Sequence, residues 1–152
     1  MIKIKKNKNC DTRTCDFSKV SKKELLENSK LHIEDVKKGL LFLKDMMIDA
    51  AANHDHMKIR DIDLFYDDFK TGFKTTDWWE AHQDQERHHL QNDVFIQEDV
   101  NLIDILEMIV DGVMAGLART GEYRKEEIPD GLLRKAFDNT IELMLSNVEA
   151  VE

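Results

Sequence analysis

One proline and six glycines in 152 residues are too few turn formers for a sandwich or barrel of this length. Their scarcity argues for helices joined by short polar loops. The only cysteines, Cys10 and Cys15, lack the second pair that would complete a zinc site. They read as two unpaired thiols in a reducing cytoplasm rather than a disulfide framework. No apolar stretch approaches the roughly 18 residues of a membrane span, and the N-terminus has no apolar signal core. Basic residues are in deficit as well: 22 Lys and Arg against 31 Asp and Glu leave a formal net charge of −9. No phosphate-tracking surface for duplex nucleic acid is expected from that balance. The short basic run at the start, Met1-Ile2-Lys3-Ile4-Lys5-Lys6-Asn7-Lys8, reads as a solvated tail. Acidity does not exclude a phosphorylated ligand, because bound cations reverse the local field at a site.

What is present suits one helical domain. Apolar residues make up 41% and charged residues 35%, enough for a core beneath charged helix faces. Residues 1–20 are polar and irregular and are expected to be a flexible arm, with 21–152 forming a single all-α domain. Ser21 followed by Glu24 predicts a capping box opening a short helix. Ile33, Val36, Leu40, Leu43, Met47 and Ala50 then recur at helical spacing, predicting an amphipathic helix from about Leu31 to Ala52. It ends where Asn53-His54-Asp55 interrupts the stripe. Leu64, Phe65, Phe69 and Phe73 predict a short helix closed by Thr71-Gly72, and a polar helix is expected from Trp78 to about Leu90. Asp99 or Asn101 can cap a long helix over about Leu102–Thr120, stopped by Gly121. Pro129 opens a last helix to about Val148. Its apolar face (Leu132, Leu133, Phe137, Ile141, Met144, Leu145) fits a core, or the interface of a homodimer.

Chemistry concentrates in the histidines: His32, His54, His56, His82, His88 and His89, with none in the last third. An adjacent His54 and Asp55 at a helix end can aim an imidazole and a carboxylate at one cation. Lys58, three residues on, can bind a phosphate oxygen or hold the Asp55 carboxylate in place. His32 stands at the start of the apolar stripe leading to them, where a histidine can equally be half exposed on its helix. Between His82 and His89 the chain packs three histidines and two acids. On an ideal helix His82, Glu86 and His89 share a face while His88 points elsewhere. Trp78 and Trp79 just before suggest that this segment docks on the core. Asp111 interrupts an apolar run of Leu106, Met108, Ile109, Val110, Val113, Met114 and Leu117. If buried, it must be paired or bound to a metal; otherwise it lies on the wet face with Asp104 and Glu107.

The order His32, His54-Asp55, then Asp111 on a later helix resembles the HD superfamily of metal-dependent phosphohydrolases. The chain is similar, more closely, to a family of small HD-like proteins frequent in phages and bacteria, a domain of unknown function (DUF5662). That pattern appears here as His32, His54-Asp55-His56-Met57-Lys58, His82 with His88-His89, and Leu106-Glu107-Met108-Ile109-Val110-Asp111-Gly112, over roughly residues 30–121. Members often carry Asn-Pro where this chain has Glu86-Arg87. A proline would end the helix there and favour His88 over His89 as ligand.

The resemblance implies an HD-like bundle of about five to six helices and one or two divalent transition metals (Mn, Fe, Co, Ni or Zn), which suit imidazole and carboxylate ligands. In that reading His32, His54, Asp55 and Asp111 hold the first metal, and His82 with His88 or His89 the second. A metal-activated water then cleaves a phosphate mono- or diester, nucleotides being the expected substrates. Lys58 and Arg87 stabilise phosphoryl charge, and Glu86 shuttles a proton or orients a histidine. Two rival readings use the same residues: an HD-fold di-iron oxygenase, and a catalytically silent phage protein that sequesters a nucleotide. The expected location is the cytoplasm of a bacterium or of a phage-infected host cell.

Overall fold

In a computed structural model, described here for residues 1–6, 13–74, 77–123 and 125–151, the chain is all-α apart from one small sheet. Cys10 and part of the basic N-terminal run lie outside these residues; Cys15 is a free thiol. Strand β1 (Ile2–Lys5) is followed by helices α1 (Lys22–Asn53), α2 (His56–Arg60), α3 (Ile62–Lys70) and α4 (Trp78–Gln85). After a 3₁₀ turn at Asp93–Phe95 come α5 (Leu102–Thr120), α6 (Leu132–Asn147) and strand β2 (Val148–Val151). Among the described residues no helix is long and apolar enough to cross a membrane. The contacts gather into two units, Met1–Asp45 with Ile141–Glu152, and Met46–Thr140.

In the first unit the expected arm is in part a strand. β1 pairs in parallel with β2, Ile2 opposite Val148 and Lys5 opposite Val151, so the predicted last helix yields to extended backbone at Val148. Valine's stiff branched side chain fits that change. Lys38 donates its ammonium to the Lys3 carbonyl at 2.9 Å, tying β1 to α1. The box at the start of α1 is reciprocal: Ser21 Oγ accepts the Glu24 N–H at 3.2 Å, and Glu24 Oε2 accepts the Ser21 N–H at 2.9 Å. This one box opens a single 32-residue helix rather than a short helix followed by a second.

The Met46–Thr140 unit holds the core: Leu90, Val100, Ile105, Met108, Leu132 and Ala136, with Ile96, Leu102 and Ile128 packed around it. Of the two caps expected for α5, Asn101 is the one used. Its side chain accepts the Ile103 N–H at 2.9 Å, while Asp104 returns a bond to the Asn101 N–H at 2.8 Å. Gly121, at φ +76°, ends the helix in the left-handed conformation that glycine adopts without steric cost. From α6, Asn139 donates to the Val100 carbonyl at 2.8 Å, and Thr140 Oγ1 accepts the Leu102 N–H at 3.0 Å. These bonds clasp the start of α5 and so set its rotation, which decides where Glu107 and Asp111 point.

Candidate metal centre

α1 stops at Asn53, and the chain turns through Asp55, whose φ of +54° and ψ of +21° lie in the left-handed region. Aspartate is among the few non-glycine residues that enter that region readily. The turn separates His54, on the α1 side, from Asp55, at the entrance to α2. Lys58, one turn into α2, donates its ammonium to Asp55 Oδ2. Of the two roles expected for Lys58, the structure therefore shows the one that anchors the carboxylate.

Two groups of three ligand atoms form around this turn, each within 4.8 Å of one another: His54, His88 and Asp111, and Asp55, His82 and His89. In the first, His54 Nε2 lies 3.7 Å from Asp111 Oδ1, and His88 Nε2 lies 4.0 Å from Asp111 Oδ2. In the second, His82 Nε2 lies 3.2 Å from Asp55 Oδ1 and 2.9 Å from His89 Nε2. Asp55 joins them, because its Oδ1 also stands 3.7 Å from His88 Nε2.

Behind the first group sits Glu107, which helical spacing alone would equally place on the wet face of α5. Its Oε1 accepts a hydrogen bond from His54 Nδ1 at 2.9 Å and lies 3.2 Å from His88 Nδ1, outside good hydrogen-bond geometry. With the Nδ1 edges facing a carboxylate, the Nε2 lone pairs of both rings face Asp55 and Asp111. Burial pushes the His88 pKa down, but the Glu107 carboxylate and the charges of Asp55 and Asp111 outweigh it, and the pKa ends above its ordinary value. Glu107 itself is pushed up by burial and pulled further down by the same two imidazoles, so it stays ionised. Asp55 follows the same balance: burial raises its pKa, while His82, Lys58 and His54 together hold it well below the carboxylate range. His89 is pushed down to about 3 by burial and by neighbouring His88 and His82, so its ring is neutral at pH 7 and keeps a lone pair to donate.

The wall behind the second group is aromatic. Trp78 stacks on His82 with centroids 5.0 Å apart, and Phe65 stacks on Trp78 at 4.5 Å. Trp79 flanks both His82 and His89, at 5.3 and 5.6 Å. The expectation that the tryptophans dock this segment on the core is met at Trp78, which is buried. Asp68, fully buried on α3, accepts the Trp79 N–H and fastens the start of α4.

Four expectations do not match the geometry. α4 ends at Gln85, and Glu86 has extended backbone, so His82, Glu86 and His89 share no helical face. His89 meets His82 by a loop instead, and His88 and His89 are both used, one in each group. Glu86 turns to α2, accepting the Met57 N–H at 3.3 Å and lying 2.9 Å from His56 Nδ1; it orients no grouped histidine. Arg87 is occupied by Asp104, in a fork of two 2.9 Å bonds, and by Asp99 at 2.9 Å, so its charge is already satisfied inside the fold. His32 is exposed and belongs to neither group.

The residues present fit a pair of divalent cations. Asp55 Oδ1, His82 Nδ1 and both ring nitrogens of His88 are buried without a hydrogen-bond partner, a costly state that cations near the Nε2 and carboxylate atoms would partly relieve. The two facing Nε2 atoms of His82 and His89 are close to the roughly 3.3 Å separation of two nitrogens on one tetrahedral ion with bonds of about 2.0–2.1 Å. Mixed imidazole and carboxylate donors suit borderline transition metals rather than magnesium. No family model, curated protein or solved structure matches the chain.

Proposed function

We propose that the chain is a dinuclear metal-dependent hydrolase of phosphate mono- or diesters, of the HD type. The observation that carries this reading is the pair of three-ligand groups joined at one carboxylate, Asp55, with unsatisfied donor atoms buried around it. Bound there, divalent transition cations would supply Lewis acidity and lower the pKa of water from 15.7 to roughly 7.

The chain's own residues divide the remaining work. Glu107 orients His54 through its hydrogen bond and sets a negative charge 3.2 Å from His88 Nδ1, and Lys58 holds Asp55 between the two groups. Trp78 and Trp79 pack the His82 ring and shut water out behind it. The first group is the more open, with the His54 and Asp111 side chains 31% and 35% exposed against 0% for His82, so the ester enters on that side. Arg87 and Glu86 act as positioning residues: they fix the loop that carries His88 and His89 to α5 and α2.

Elemental analysis of protein purified without a histidine tag tests the reading. About two equivalents of Mn, Fe, Co, Ni or Zn are expected in the wild type and less than one in Asp55→Ala. Turnover of 4-nitrophenyl phosphate or bis(4-nitrophenyl) phosphate should fall with the metal. A wild type that takes up none of these ions would overturn the proposal.

A further inference from the structure

Beside the His54, His88 and Asp111 group lies a half-open groove of about 320 Å³. Its walls come from two helix faces at spacings of three and four residues. The end of α1 supplies Met47, Ala50 and Ala51, and α5 supplies Leu106, Val110 and Met114. These are the same faces that carry His54 and Asp111, so the cavity opens directly on the first ligand group. The lining has three polar residues, His54, Glu107 and Asp111, and all of them belong to that group or support it. No lysine, arginine, amide or hydroxyl side chain lines it.

A sugar hydroxyl or a base edge set against these walls would find no side-chain partner outside the ligand group, whereas an apolar group would cover Met47, Leu106, Val110 and Met114, which are 43–65% exposed. A cavity of about 150 Å³ holds one benzene ring, so this one has room for about twelve heavy atoms.

We infer that the cavity receives the alcohol-derived part of the ester, and that this part is an aryl or branched alkyl group rather than a nucleoside. This substrate class rests on the hydrolase reading, which places the phosphoryl end at His54 and Asp111; the apolar preference of the cavity does not depend on a bound metal.

The test is binding of 1-naphthol, followed by NMR of ¹³C-methyl methionine in chelator-treated protein, with D-ribose as the polar control. Met47 and Met114 line the cavity, whereas Met108 is in the core and serves as an internal reference. Naphthol should shift the Met47 and Met114 methyls, leave Met108 in place, and half-saturate at a concentration at least tenfold below that of ribose. Ala51→Phe fills the cavity from an exposed position on α1 and should weaken naphthol at least tenfold without lowering metal content. Val110→Trp blocks from the opposite wall and should do the same. Equal response to naphthol and ribose, or unchanged naphthol binding in both variants, would overturn the inference. So would Met47 and Met114 shifts that depend on protein concentration alone, which would mean that a second copy of the chain covers the groove. If naphthol binds as expected but the protein takes up no metal, the hydrolase reading fails and the apolar site stands. If metal loads but naphthol does not bind, the reverse holds.

Discussion

Glu107→Gln is the most informative perturbation of the proposed metal centre. Gln can still accept from His54 Nδ1 at 2.9 Å through its amide oxygen, so the ring stays in place, but it carries no charge. The His88 ring, 3.2 Å from the same oxygen, loses the anion that makes it more basic. Removing a partner of this kind costs about 10–100-fold in metal affinity, or roughly 1.4–2.7 kcal/mol. One imidazole is hydrogen-bonded to this carboxylate and a second feels only its charge, and Gln keeps the hydrogen bond, which places the expected loss in the middle of that range, about 30-fold. The loss should fall on one of two sites, because Glu107 touches neither His82 nor His89. Competition with a chromophoric chelator should therefore show one equivalent weakened and one near wild-type affinity. Glu107→Ala should be worse, since it leaves the His54 Nδ1–H without a partner. If Glu107→Gln binds both equivalents as tightly as the wild type, the argument that Glu107 orients the first group is wrong.

Other predictions follow from the surrounding structure. Arg87→Gln should destabilise the fold by about 2–3 kcal/mol in urea unfolding. Breaking a buried pair costs about 3–5 kcal/mol, and the figure is discounted because the Arg87 side chain is 37% exposed; unchanged stability would return Arg87 to the pool of available cations. Asn101→Ala removes the cap of α5 and should cost about 1 kcal/mol, lowering the melting temperature by about 2–4 °C. Glu24 is held below its ordinary value of 4.5 by Ser21, so its contribution to α1 is intact above that value and lost as pH falls through its lower folded-state pKa. Amide protection at the first turn of α1, taken relative to the intrinsic exchange rate at each pH, should fall over that acidic window, and Glu24→Gln should abolish the dependence.

Much of the fold was legible because helix ends are local events. Ser21 with Glu24 and Gly121 each act within a few residues and work where the sequence places them, and of the two caps open for α5, Asp99 or Asn101, the structure uses Asn101. The close of α4 was not legible. Nothing in Gln85-Glu86-Arg87-His88 forbids helix, and the chain leaves it because Glu86 reaches Met57 and Arg87 reaches Asp104, both distant in sequence. Glu107 was hidden for a related reason. It stands one helical turn before Asp111 on the same face, a signal present in the sequence, but a carboxylate there is equally at home in water.

Local pattern in the chain was enough for the helical class, for the ends of α1 and α5 set by Ser21, Glu24 and Gly121, and for the kinds of donor available: imidazoles and carboxylates clustered from His54 to Asp111. Tertiary structure decided their grouping. It placed His88 with His54 and Asp111, set His89 beside His82 and Asp55, left His32 outside both groups, and turned Arg87 and Glu86 into supports. Periodicity describes one helix at a time, whereas a metal site is set by the rotation and stagger of several elements at once. Those follow from packing and from long-range bonds such as Arg87 to Asp104, which no local pattern encodes.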